Sequence, residues 1–236
     1  MRGNVRRDRT RRRLWLTAAC VALVCEAVAG QGAPAWPDTY EARVQALALI
    51  QTLSAKILSS RSATTTLEEW CRDHKLADTP TIVADLVPGT PTPATPEQRQ
   101  RLQVNEHEPI TYRRVRLRCG ARLLSEAENW YVPARLTAEM NRVLETTDTP
   151  FGRAVAELEP YRQTVGATLL WSPLPDRWES QGTARPPKSG GRSLTIPDAL
   201  FAHRATLYTR DHTPIAEVSE VYQRGVLAFP GPRRLQ

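Results

Sequence analysis

Two rhythms of apolar and polar residues run along this chain. Between Tyr40 and Ser60 the apolar positions Val44, Leu47, Ile50, Leu53, Ile57 and Leu58 recur every three or four residues. That is the period of a helix with one buried stripe. From Ile110 the rhythm shortens to two, with Val115 and Leu117 alternating with Arg114, Arg116 and Arg118. Gly120 then marks a turn, and a second run continues to Trp130-Tyr131-Val132. Successive strand residues point to opposite faces, so the stretch predicts an antiparallel hairpin with one buried side.

Other segments fill in around these. "SATTTLEEWC" (62–71) predicts a second helix, with Thr65 three residues before Glu68 in the spacing of a capping box. Residues 78–98 read as one short apolar strand followed by a loop rich in Pro and Thr. Leu136, Met140, Val143 and Leu144 fit one helical face, and "TPFGR" starts a further helix. There Thr149 is the expected N-cap and Pro150 the first helical residue, with Ala154, Val155 and Leu158 continuing the period. After "LLWSPLP" (169–175) comes a charged, Gly- and Pro-rich stretch, a surface loop over 179–192. The chain closes as a hairpin, its turn near Arg210–Pro214 and "IAEVSEVY" its returning strand. Glu217 and Glu220 stand three apart on that strand and must face opposite sides. With no βαβ alternation, the order predicts an α+β fold: a single antiparallel sheet with helices packed against it.

Composition changes this picture at one end only. The chain has 236 residues, 41% of them hydrophobic, which suits one domain, and a formal charge of +7. Seven arginines (2, 6, 7, 9, 11, 12 and 13) lie in the first 30 residues against Asp8 and Glu26. Without them 25 basic and 23 acidic residues remain, a balance near neutral and without the basic stripe that nucleic acid requires. The arginine block runs into an apolar stretch from Leu14 and then small residues, the three parts of a secretory signal. Residues 1–30 are therefore read as a signal peptide cleaved near Ala29, and residues 31–236 as one periplasmic or secreted domain that meets a membrane only through that signal. A true start downstream would leave it in the cytoplasm. Cys71 and Cys119 then remain, free to pair or to stay as buried thiols. The four histidines are scattered without metal spacing.

The stretch from "RRVRLRCGARLLSEAENWYVP" through "TPFGR" to "TPIAEVSEVY" resembles the bacterial chorismate lyase family, over roughly Ser62 to Phe229. The resemblance implies a single antiparallel sheet with helical flaps over an enclosed pocket. It implies conversion of chorismate to 4-hydroxybenzoate and pyruvate by a monomer without cofactor or metal. It places the ring carboxylate on Arg114, the 4-hydroxyl on Glu220, and flap contacts on Ala63, Phe151 and Gly152. Asn129 stands where the family has a second arginine, and brings no charge to the pocket entrance. Arg114 and Glu220 are the expected catalytic pair. The alternative is a non-catalytic exported module of the same fold, binding a small aromatic acid or a protein partner. An export signal favours it, because chorismate is a cytoplasmic compound.

Overall fold

The computed structural model describes Met1, residues 35–180 and residues 192–231. The expected signal over residues 1–30 and most of the expected loop over 179–192 lie outside the described residues.

Six strands form the fold: β1 (Ile82–Leu86), β2 (Thr111–Cys119), β3 (Arg122–Tyr131), β4 (Tyr161–Leu169), β5 (Ala199–Tyr208) and β6 (Pro214–Gln223). They make one antiparallel sheet in the order β1-β2-β3-β6-β5-β4. Both predicted hairpins are present, and β3 and β6 pair to join them at the centre of the sheet. Helices α1 (Tyr40–Ser59), α2 (Ala63–Asp73), α3 (Pro96–Arg101), α4 (Ala138–Thr146) and α5 (Phe151–Ala154) complete the α+β architecture.

Parity along β2 sets the two faces. Val115, Leu117 and Cys119 are buried in the main core, whereas Arg114 and Arg116 are exposed on the other side. The main core also holds the α1 stripe of Ala42, Ala46, Ile50, Leu53 and Ile57. Val44 and Leu47 only flank that stripe and Leu58 is exposed, because two alanines, not the larger residues, give the closest approach. Trp36 and Trp70 anchor the far end, donating their indole N–H groups to the carbonyls of Leu227 and Val226 at 3.0 and 2.8 Å. Cys71 and Cys119 form a disulfide that ties α2 to the end of β2.

Four local readings are corrected. Ser62, not Thr65, caps α2, accepting from the Thr65 N–H, which leaves the Glu68 side chain free to accept from the Ile82 N–H instead. Within the expected loop, "TPEQ" forms α3 with a full capping box between Thr95 and Gln98. Thr149 does not cap α5. Its hydroxyl accepts from Thr147, Pro150 takes the cap position, and the helix ends after four residues. A 3₁₀ turn over Ala156–Leu158 follows, stopped by Glu159 at φ 44°. Finally, Tyr161 to Leu169 form β4, a strand in a stretch whose alternation is too weak to predict one.

Candidate functional site

Where α2 and α5 meet above the sheet there is a cavity of about 380 Å³. Its floor is the helix-side face of the sheet: Val115 and Leu117 of β2, Ala127 and Asn129 of β3, Val218 and Glu220 of β6, Leu207 of β5 and Arg162 of β4. Its cover is the start of α2, Ser62 to Thr65, and the segment Pro150 to Arg153. These two short elements are helical flaps. Gly152 lets them touch, since a Cβ there would come 3.1 Å from Thr64 Oγ1 and 3.3 Å from Ser62 Oγ. An ion pair between Arg153 of α5 and Glu68 of α2 closes the same seam.

One buried ion pair stands on the floor. Arg162 Nη2 donates to Glu220 Oε2 at 2.8 Å, and the Tyr222 hydroxyl donates to the same oxygen at 3.0 Å. The two ionic side chains are 4% and 8% exposed, so little water screens them. Burial acts to lower the Arg162 pKa, but the Glu220 charge and Tyr222 outweigh it and the group is held more firmly as a cation. Burial first, and the Glu220 charge second, push Tyr222 well above the usual phenol value. Arg162 Nε has no hydrogen-bond partner among the described residues. Behind the pair, His203 stands directly opposite Glu220 in the β5–β6 ladder and meets Ser54 Oγ of α1 through Nε2 at 3.0 Å. Burial lowers its pKa, the Glu220 charge opposing and Arg162 adding to the effect.

Of the residues singled out in the sequence, Glu220, Asn129, Ala63, Phe151 and Gly152 all line this cavity. Arg114 does not. It lies on the opposite face of β2, exposed, with Nη2 3.3 Å from Glu126, a carboxylate it shares with Arg116. The reason is parity: Val115 faces the cavity, so its neighbours cannot. Arg113 has the right parity and stands directly opposite Asn129 in the β2–β3 ladder. Only 5% exposed, it donates through Nη2 to the Thr149 carbonyl at 2.9 Å, while Nε and Nη1 have no partner. Burial lowers its pKa, with only Tyr131 acting in the other direction. Glu217, on the far face, is held by Arg101 of α3 through two bonds of 2.6 and 2.9 Å. Arg162 is the site residue that sequence reasoning missed, since nothing in the sequence joins it to a glutamate 58 positions away. Arg113 does not line this cavity; it borders a separate hollow of about 260 Å³ with Tyr131 and Leu144.

The fold and cavity define a single-sheet α+β domain with an internal hollow of small-molecule size. The chain is 52% identical over 198 residues to the uncharacterized protein y4mC of Sinorhizobium fredii (strain NBRC 101917 / NGR234), an alignment covering 84% of this chain and 83% of that one, and it belongs to the family of that protein. No family model matches the sequence. Similar solved structures include PhnF from Mycobacterium smegmatis, 13% identical, with a TM-score of 0.45 over 76% of this chain and 71% of that one. The effector domain of PhnF aligns at 13% identity and a TM-score of 0.43, covering 69% of this chain and 88% of that one. The ligand-binding domain of a GntR-family transcriptional regulator from Bordetella bronchiseptica aligns at 15% identity and 0.37, over 60% and 82%. The expected membership of the chorismate lyase family is corrected: the family shown for this chain is that of y4mC, and no family model matches it.

Proposed function

We propose that this chain is a non-catalytic binding module whose cavity takes a small aromatic acid. Its volume lies at the lower end of the roughly 300–1,000 Å³ usual for ligand sites, and its walls of Val115, Leu117, Ala127, Leu207, Val218 and Phe151 suit a flat apolar ring. Glu220 stands ready to accept from a ring hydroxyl. The observation that carries the reading is Arg113, a buried guanidinium just outside the cavity lining and paired in the ladder with Asn129, which does line it; among the described residues its Nε and Nη1 have no partner and no carboxylate is bonded to it. An unsatisfied buried polar group costs about 1–3 kcal/mol, and a ligand carboxylate, binding in fork geometry, repays it. Both nitrogens are shut off from solvent, and the reading requires the acid to reach them past Asn129, the cavity-lining residue paired with Arg113 in the ladder.

Titration calorimetry with 4-hydroxybenzoate tests this. The expected result is saturable binding that Arg113→Met weakens by about tenfold or more and Arg114→Ala leaves alone. No heat at millimolar probe with folded protein, or equal affinity in Arg113→Met, overturns it.

We also infer that the domain works outside the cytoplasm. The Cys71–Cys119 disulfide supports this, since such bonds persist in oxidising compartments. A mass consistent with cleavage near Ala29 is expected for protein taken from its native compartment; a full-length cytoplasmic species removes the inference.

A further inference from the structure

The two edges of the sheet are treated differently. At β1 the edge is covered: the Ala84 N–H donates to the Asp148 carbonyl at 2.7 Å, the Ile82 N–H to Glu68 Oε1 at 3.2 Å, and Arg153 Nη1 reaches the Ile82 carbonyl at 3.4 Å. The strand is five residues long, with Pro80 before it and Pro88 after it. β4 is nine residues long and, among the described residues, its backbone pairs with β5 alone. Arg162 shows the consequence on a single residue. Its side chain is almost wholly buried while the residue as a whole is only half-buried, so what water reaches is its backbone.

Natural sheets protect such an edge with charge, proline or brevity. Here "QTVGATLL", Gln163 to Leu170, holds no charged residue and no proline. Val165, Leu169 and Leu170 are 41%, 40% and 49% exposed. A bulge at Val165 breaks the ladder between Thr164 and Gly166, which confines a regular free edge to the arm from Gly166 to Leu169; Leu170 follows it and gives its own N–H to the Leu200 carbonyl. Ala167, Thr168 and Leu169 are all exposed along that arm, as is Leu170 after it.

We propose that this arm is the seam of a two-fold dimer, in which the same arm of a second copy pairs with it antiparallel. A row of backbone donors and acceptors is met in full only by another strand. Between identical, uncharged segments an antiparallel pairing sets no like charges against each other, and the leucines at the end of each arm gain an apolar neighbour. Two-fold pairing makes the contact self-complementary and closed, so it stops at two copies. This replaces the single-chain state expected from the sequence. Because β4 also carries Arg162, the dimer would stiffen one wall of the cavity, but the contact stands independently of what the cavity binds.

Sedimentation velocity of the full chain across a wide concentration range tests the proposal, together with Thr168→Lys and Leu169→Lys. Both positions are exposed, so neither variant disturbs the core, and unchanged circular dichroism and urea midpoint confirm that. The expected result is a reversible monomer–dimer equilibrium that both lysines abolish at concentrations where the unaltered chain is mostly dimeric. Amide exchange over 166–169 should slow as concentration rises. A monomer at every concentration, or a dimer indifferent to both lysines, overturns the proposal. So does concentration-independent protection of the amides in this arm that do not donate to β5, which would mean that the chain covers its own edge.

Discussion

Arg162 on β4 and Glu220 on β6 form an ion pair of 2.8 Å across the intervening strand β5, beneath both flaps of the cavity. A long guanidinium arm makes the reach possible, and Tyr222 satisfies the same carboxylate oxygen. Such a pair contributes little net stability, because the cost of removing two charges from water roughly cancels their attraction. Removing one partner is a different matter, since the other charge stays inside.

Arg162→Met is therefore expected to destabilise the domain by about 3–5 kcal/mol in urea denaturation, and Glu220→Leu by a similar amount. The double variant Arg162→Met/Glu220→Leu should recover most of that loss. A loss in the double variant equal to the sum of the two singles would show that the residues act separately.

The Cys71–Cys119 disulfide joins positions 48 apart and ties α2, whose start covers the cavity, to the sheet. Closing a loop of that length stabilises a fold by about 4 kcal/mol in the chain-entropy picture. Cys71→Ala/Cys119→Ala is expected to lower stability by roughly that amount. The comparison is made by urea denaturation against the unaltered protein with the bond intact. Reductant should have little further effect on the double variant. A midpoint unchanged by the substitutions would deny the bond any structural role.

Much of the sheet was legible in the sequence because its faces differ chemically. The alternation at Val115 and Leu117 already put Arg114 on the polar side; only the family resemblance drew it into the site, which β2 lines through Val115 and Leu117. The three-residue spacing of Glu217 and Glu220 likewise separated them, one to Arg101 and one to Arg162. What the sequence hid has physical causes as well. α3 carries almost no apolar stripe and depends on its capping box. α5 is a single turn, too short for any period to show. β4 is an edge strand with weak alternation, so its one buried charge, Arg162, looks like any surface arginine until a distant strand is placed beside it.

His203 tests how the floor of the cavity responds to pH. It faces Glu220 and lies near Arg162, packs against Phe201 and Tyr222, and bonds Ser54 from the helix above. Burial lowers its pKa below the ordinary histidine value of 6.5, so the neutral ring is the folded form. The sign follows from proton uptake. Below about pH 6.5 the unfolded chain binds a proton at this ring that the folded chain does not, and stability falls as pH falls until the lowered folded value is passed. Above pH 6.5 the contribution is complete. His203→Gln keeps a partner for Ser54 but cannot titrate. Urea denaturation at pH 7.5 and 5.5 should show the unaltered protein losing more stability than the variant between the two conditions. The other histidines are common to both proteins and cancel in the comparison. Equal losses would mean that folding does not lower the His203 pKa, and a smaller loss in the unaltered protein than in the variant would mean that Glu220 holds the ring as a cation.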